Sequence, residues 1–326
     1  MNVLSLCDGK SSGMTALSLA GIKVGKYYSC EIDKYANLVS NALYPNLIRL
    51  GDIVSWREWD IEWDSIDLVL GGTPCQGLSF AGKQLAFDDP RSFLFYIFRD
   101  ILNHIKSVNS KVKFMLENVR MKAESMDIIT TEVESEPVLI NSALVSAQNR
   151  KRNYWANWDI DQPGDRLVML SDIIGEKCLS YLKPRGNNPG GFRAKNGKTG
   201  AISSSSWEHN NFLVFQKDNP KKPRPSNNKS SCLTGGGNSG GNHSQMDVLV
   251  FDNFEIPLTS TGRIDIHKTE KVRRYSVREV FRLQTTPEYL IDKILACGVS
   301  NSQLYKIAGN GWTDEVIAHI FKGLVS

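Results

Sequence analysis

The 326-residue sequence has no apolar run near the ~20 residues that cross a bilayer, so a membrane-spanning role is not expected. The full GxxxxGK[ST] loop of a P-loop ATPase is missing, which argues against that chemistry. No two cysteines stand at CxxC spacing; Cys7, Cys30, Cys75, Cys178, Cys232 and Cys297 are scattered, fitting neither a zinc ribbon nor a disulfide framework. No metal site is expected, and any special cysteine must be special for its reactivity. The first residues carry neither a basic start nor a long apolar core, so a cytoplasmic location is expected. Charge of one sign is also scarce: the formal net charge of +4 is too small to prove a nucleic-acid partner.

Local patterning says more. Basic residues gather at 148–152 (QNRKR), 221–224 (KKPR) and 271–274 (KVRR), which would give phosphate-contacting loops if they shared a face; a solvated surface is the plainer reading. Up to about residue 158, short apolar runs at Val3–Cys7, Tyr27–Ile32, Ile66–Gly71 and Phe114–Val119 predict strands. They alternate with helical spacing at Ser12–Ala20, Asp33–Leu43 and Arg91–Ile105. That alternation predicts an α/β fold with a doubly wound mixed sheet and a ligand crevice at the strand C-termini. Residues 161–270 are rich in Gly, Asn, Ser and Pro and predict a smaller, loop-rich domain, with 1–160 and 271–326 forming the larger one. Helical spacing returns at Ser276–Gln284 and Thr313–Leu324, where Thr313 is expected to cap a helix opened by Asp314 and Glu315.

Two regions carry chemistry. The first strand runs into Cys7-Asp8-Gly9-Lys10-Ser11-Ser12-Gly13, small residues that let helix N-terminal amides approach a ligand. The second ends in Glu31 about 20 residues on, where an acid reaches ribose hydroxyls. Asp52, beside Ile53, is placed to accept from an adenine amino group, although a turn-forming aspartate would look the same. Together these favour an adenosine ligand without phosphate chemistry. The second region is Gly71-Gly72-Thr73-Pro74-Cys75-Gln76-Gly77 at the end of an apolar strand, a turn that presents a thiol at the mouth of the sheet. A buried structural cysteine is the commoner fate of such a residue, but Cys75 has company: Glu117-Asn118-Val119 closes another strand, and Gln148, Arg150 and Arg152 follow as QxRxR.

These motifs, with RYSVREVFRLQ at 274–284 and AGNGWTDEVIAHIF at 308–321, resemble in order and spacing the DNA cytosine-5 methyltransferase family, especially its compact bacterial and phage members. The resemblance implies a class I methyltransferase fold and S-adenosylmethionine as cofactor. It also implies double-stranded DNA as partner, a monomer, and a target-recognition region within 161–270. Cys75 would then add to C6 of a flipped-out cytosine, Glu117 hold the N3/N4 edge, Arg152 the O2 side, and Arg150 support the pocket. Cys7, Asp8, Gly9, Lys10, Gly13, Glu31, Ile32, Asp52, Ile53, Gly72, Pro74, Asn310 and Trp312 would line the cofactor site, the last two near the methionine portion. Gln76, Ser79, Lys83 and Arg91 are expected DNA contacts on a closing loop, and Arg185, Arg193 and Arg224 in the recognition region. Cys7 and Lys10 depart from the usual Phe-Asp-Gly-x-Ser-Cys-Gly pattern. An ammonium at position 10 beside a sulfonium would repel it by roughly 3 kcal/mol. Either Lys10 turns to solvent or pairs with Asp8, Glu31 or the ligand's own carboxylate, or the ligand is carboxy-S-adenosylmethionine and the product 5-carboxymethylcytosine. A tRNA cytosine-5 methyltransferase and a catalytically inert DNA-binding regulator are the other readings. The glycine-rich recognition segment speaks against the first and the intact Cys75, Glu117 and Arg152 against the second.

Overall fold

The computed structural model describes residues 1–73, 93–175, 178–182, 191–192, 197–202, 204, 211–215 and 272–324. The larger unit opens with β1 (Val3–Leu6), α1 (Ser12–Leu19), β2 (Tyr27–Cys30), α2 (Lys34–Leu43), β3 (Ile48–Arg49) and β4 (Leu68–Gly71). It continues through α3 (Phe93–Val108), β5 (Lys113–Val119), α4 (Ala123–Val133), β6 (Pro137–Asn141), β7 (Gln148–Asn149) and β8 (Lys151–Ala156). After α5 (Leu170–Ile174) come the short strands β9 (Cys178–Leu182), β10 (Gly191–Phe192), β11 (Thr199–Gly200), β12 (Asn211–Phe215) and β13 (Val272–Arg274). Four helices follow: α6 (Val277–Leu283), α7 (Glu288–Ala296), α8 (Asn301–Asn310) and α9 (Asp314–Lys322).

Seven strands form the main sheet in the order β3-β2-β1-β4-β5-β8-β6. β1 to β5 run parallel, and β8 is antiparallel to both β5 and β6. The expected mixed, doubly wound α/β sheet is therefore present. β1 and β4 bury residues toward both faces, which is why VLSL and LVLG read as continuous apolar runs rather than alternating ones. Val3, Leu68, Leu70 and Met115 pack with α1 and α9, whereas Leu4, Val69, Phe114 and Leu116 pack with α3. Strand order reverses between β1 and β4, so the loops after these strands part and leave a crevice there.

The smaller sheet, β10-β9-β12-β13, takes its last strand from 272–274, just beyond the composition boundary. β11 instead pairs with β7 and ties the 161–270 stretch to the part of the chain before it. A second helical core joins α2, α6, α7 and α8 around Phe281, Leu290 and Leu304, with Leu213 of β12 packed into it. No helix among the described residues is long and apolar enough to cross a membrane.

Several expectations meet a different outcome. The basic run at 148–152 lies along β7 and β8 rather than in a loop: Gln148 and Arg150 are buried, and Arg152 is paired with Glu117. Of the 271–274 run, Arg273 grips both oxygens of Glu279 at 2.7 and 2.8 Å. Thr313 stands at the start of α9, but its hydroxyl does not cap the helix; it bonds Gln284 and Ser142 instead. Gly13 is closely packed on its Cβ side. A Cβ there would lie 2.6 Å from the Leu70 side chain and 2.7 Å from the Tyr27 hydroxyl.

Lys10 is the largest correction. Its side chain is fully buried, and its ammonium bonds both carboxylate oxygens of Asp314 at 3.0 and 2.9 Å. Asp314 also accepts from the Thr286 hydroxyl at 2.7 Å. The lysine therefore meets a carboxylate of its own chain, at the start of α9, and points its charge at no ligand. Removing one member of such a pair leaves a bare buried charge, which costs about 3–5 kcal/mol. Lys10→Ile should accordingly lower the melting temperature by roughly 5 °C or more. Lys10→Met combined with Asp314→Leu should recover most of that loss in a thermal melt, because no isolated charge then remains.

Candidate active site

A cleft of about 750 Å3 opens at the strand C-termini, between the loops after β1, β2 and β4 on one side and the ends of β5 and α8 on the other. Its floor is the Cys7–Ser12 loop. Cys7, Gly9 and Ser11 all take the left-handed backbone region, with φ of 56°, 59° and 63°, which costs about 1–2 kcal/mol at each non-glycine position. Asp8 holds the strained turn. Its buried carboxyl accepts from Ser5 and Tyr27 on one oxygen and from Ser11 and Ser29 on the other, at 2.6–2.7 Å. Burial raises the Asp8 pKa although the four hydroxyls pull it down. The residue expected to touch cofactor is thus also the anchor of the loop under the cleft. Ser11 cannot cap α1, because its hydroxyl bonds Asp8 and Ser40.

Glu31 ends β2 and links the two loops: one oxygen accepts from the Gly9 amide, the other from the Ile32 and Asp33 amides, each at 2.8 Å. Burial raises its pKa above the ordinary 4.5. Asp52 accepts from the Val54 amide through one oxygen only, so the turn-forming role is real and the second oxygen has no hydrogen bond among the described residues. Ile32 is exposed and Ile53 buried, and both line the cleft as apolar walls. Burial, with Glu31, Asp52 and Asp8 adding to it, pushes the Cys7 thiol up to about 12, which makes it an inert apolar surface rather than a nucleophile.

On the opposite wall, β5 alternation turns Met115, Glu117 and Val119 to the α9 side, and β8 lies antiparallel with Tyr154 across from Glu117 and Arg152 across from Val119. Arg152 thus sits diagonal to Glu117, and its Nε donates to Oε1 at 3.0 Å. Oε2 accepts from the Trp312 indole at 3.0 Å. Arg150 faces the other way: its guanidinium donates to the carbonyls of Ile202, Gly309 and Gly311 at 2.9–3.1 Å. That grip fixes the turn carrying Asn310 and Trp312, so Arg150 supports the pocket from behind. Gln148 does the same for neighbouring segments, bonding the Leu283 carbonyl and the Gln284 side chain.

Of the residues predicted from sequence, Cys7, Asp8, Gly9, Glu31, Ile32, Asp52, Ile53, Gly72, Glu117, Arg150, Arg152, Asn310 and Trp312 line this one cleft. Lys10 and Gly13 do not. Pro74, Cys75, Gln76, Ser79, Lys83, Arg91, Arg185, Arg193 and Arg224 lie outside the described residues. The cleft also includes residues that sequence reasoning passed over. Thr73 and Asn118 stand inside motifs already singled out, so their signal was available. Lys306 and Asp33, joined by an ion pair of 2.7 Å at the cleft, come from helices far apart in sequence and gave none.

Three buried polar atoms at the cleft have no hydrogen-bond partner among the described residues: Ser12 Oγ, Thr73 Oγ1 and Asn118 Nδ2. Buried polar groups are rarely left so, and these await a polar ligand. With an acid-lined recess at Glu31 and Asp52 and apolar walls at Cys7, Ile32 and Ile53, they fit an adenosine-containing molecule with a polar tail.

The profile of the family described as C-5 cytosine-specific DNA methylase matches residues 1–326, and the chain belongs to that family. Among curated relatives, it is similar to the orphan methyltransferase M.SPRI of Bacillus phage SPR, 25% identical across 100% of this chain and 97% of the phage protein. It is also 36% identical over 148 residues to the type II methyltransferase M1.ScrFI of Lactococcus lactis subsp. cremoris, a match covering 42% of this chain and only 36% of that relative. Among solved structures, Entamoeba histolytica methyltransferase EhMeth superposes with a TM-score of 0.66 at 13% identity, covering 99% of this chain and 97% of its own. A variant of Spodoptera frugiperda DNMT2 gives 0.61 at 19%, covering 100% and 99%. These structures share the fold of a class I methyltransferase, and membership in a methylase family implies S-adenosylmethionine as methyl donor.

The raised Glu31 carboxyl gives the cofactor recess a pH signature. A ligand hydroxyl at Glu31 would donate to the ionised form, so its binding would favour the carboxylate, and protonation as pH falls would oppose it. Affinity for S-adenosylhomocysteine, followed by calorimetry, should begin to fall at a pH above the ordinary 4.5 of a glutamate. In Glu31→Gln it should be weaker at neutral pH and flat across that range.

Proposed function

We propose that the protein transfers a methyl group from S-adenosylmethionine to C5 of a cytosine in double-stranded DNA. The observation that carries this reading is the Glu117 carboxylate, held by Arg152 and Trp312 at the rim of the same cleft that contains the acid-lined recess of Glu31 and Asp52. Only a substrate that needs both an adenosine-type donor and a planar, amide-like hydrogen-bonding edge uses both walls.

The chemistry assigns each residue a task. Cytosine C5 is a weak nucleophile; addition of the Cys75 thiolate to C6 makes an enamine whose C5 attacks an alkyl donor. Glu117 accepts from the N4 amino group and shares a proton with N3, which draws electrons from C6 as the sulfur–carbon bond forms. Arg152 donates to O2. S-adenosylmethionine, when bound, supplies the activated methyl group. Loss of the C5 proton to a base then expels the Cys75 thiolate and restores the aromatic ring. Because C6 is stacked inside a duplex, the nucleotide rotates out of the helix at a cost of roughly a few kcal/mol, offset by phosphate contacts. Gln76, Ser79, Lys83 and Arg91 follow the nucleophile in sequence and are assigned to that contact surface, with residues 161–270, including Arg185, Arg193 and Arg224, reading sequence.

Methyl is the group favoured, because the ammonium of Lys10 is spent on Asp314 and leaves nothing at that position to receive a carboxylated donor.

Two measurements check this. DNA containing 5-fluorocytosine, whose fluorine cannot leave as a proton does, should form a denaturation-resistant adduct with the wild-type chain and none with Cys75→Ala, while Cys75→Ala retains DNA binding. Nucleoside mass spectrometry after incubation with duplex DNA or tRNA should show 5-methylcytosine in the DNA alone; modification confined to tRNA, or none at all, would remove the reading. Separately, exchanging residues 161–270 for the matching stretch of a related enzyme should change which sites are modified, and unchanged sites would move sequence readout elsewhere.

A further inference from the structure

We propose that Trp312 is a positioning residue for the reacting base: its indole N–H fixes the Glu117 carboxylate, and its ring packs into the space that Gly72 leaves at the end of β4. This rests on the reading of Glu117 and Cys75 above and assigns Trp312 a different task from the cofactor contact that its motif suggested.

Two contacts support it. The first is the 3.0 Å bond from Trp312 Nε1 to Glu117 Oε2, in a buried setting. An ionised carboxylate offers about four lone-pair sites, two on each oxygen. Arg152 takes one on Oε1 and Trp312 takes one on Oε2, so each oxygen keeps one for a ligand. A cytosine presents two such groups side by side, N3 with its shared proton and the N4 amino group. Held at one oxygen only, the carboxylate would pivot about its last torsion, and misplacement of a catalytic group by about 1 Å costs on the order of a hundredfold in rate.

The second contact lies on the other side of the indole. A Cβ built on Gly72 would fall 3.0 Å from Trp312 Nε1, 3.2 Å from Cζ2 and 3.3 Å from Cε2. Glycine at position 72 therefore admits the ring edge, and the ring fills the space between the end of β4, three residues before Cys75, and the end of β5. Trp312 is itself held from behind, since Arg150 donates to the carbonyls of Gly309 and Gly311 on the same turn. If the ring served packing alone, phenylalanine would replace it; if it served the cofactor alone, the N–H would not be aimed at Glu117.

The test separates the donor from the ring. Trp312→Phe keeps an aromatic ring against Gly72 and removes the N–H. The expected result is a rate of adduct formation with 5-fluorocytosine DNA that falls roughly ten- to a hundredfold. Dissociation constants for duplex DNA and for S-adenosylhomocysteine should stay within about threefold of wild type. Gly72→Ala, which pushes the indole away while leaving it intact, should reproduce part of the loss. An unchanged adduct rate in Trp312→Phe would overturn the proposal, as would a loss confined to cofactor affinity. Should Trp312→Phe fail to fold, benzothienylalanine placed at 312 by nonsense suppression keeps the bicyclic shape without the donor, and the same two outcomes decide. Absence of adduct with the wild-type chain would instead count against Cys75 as nucleophile, so the two readings fail separately.

Discussion

The buried pair of Lys10 and Asp314 is the constraint around which the molecule closes. It ties the loop after the first strand to the helix that begins at residue 314, and between these points the chain makes the other six strands of the main sheet and the smaller four-stranded one. An ammonium taken wholly out of water is tolerable only beside a well-satisfied carboxylate, and the Thr286 hydroxyl donates to Asp314 as well. With α9 fixed against α1, the residues just before it are fixed too, and these are Asn310 and Trp312.

From that anchor, two carboxylates define opposite walls of the cleft by opposite means. Glu31 is held by three backbone amides, so its place depends on loop geometry and on the Asp8 cage beneath it. Glu117 is held by side chains from β8 and from the turn before α9, so its place depends on sheet register. A one-residue slip of β8 against β5 would turn Arg152 to the other face of the sheet and strip Glu117 of its charged partner.

Much of this was legible in the sequence because buried parallel strands leave unbroken apolar runs, and β1, β2, β4 and β5 each did. The antiparallel strands β6 and β8 were not foreseen: β8 begins inside a basic run, Lys151-Arg152, whose charge masks the apolar pattern of Tyr154-Trp155-Ala156. Glu117, Arg152 and Glu31 could be named from motifs. What each touches could not, since the partners come from distant segments: Trp312 for Glu117, Gly9 for Glu31, Asp314 for Lys10. A charge that local spacing placed beside a ligand turned out to serve the fold, because a side chain's reach is three-dimensional and the nearest carboxylate in space was 304 positions away in sequence.

The same long-range pair bears on how the chain is made. Synthesis proceeds from the first strand onward, and domains generally fold as they emerge. Here the loop after the first strand carries a lysine whose counter-charge does not exist until residue 314 has been translated, so its ammonium stays in water until α9 arrives. A product broken off upstream of residue 314 would keep every described strand of both sheets yet lack the carboxylate that lets the loop after β1 bury its ammonium.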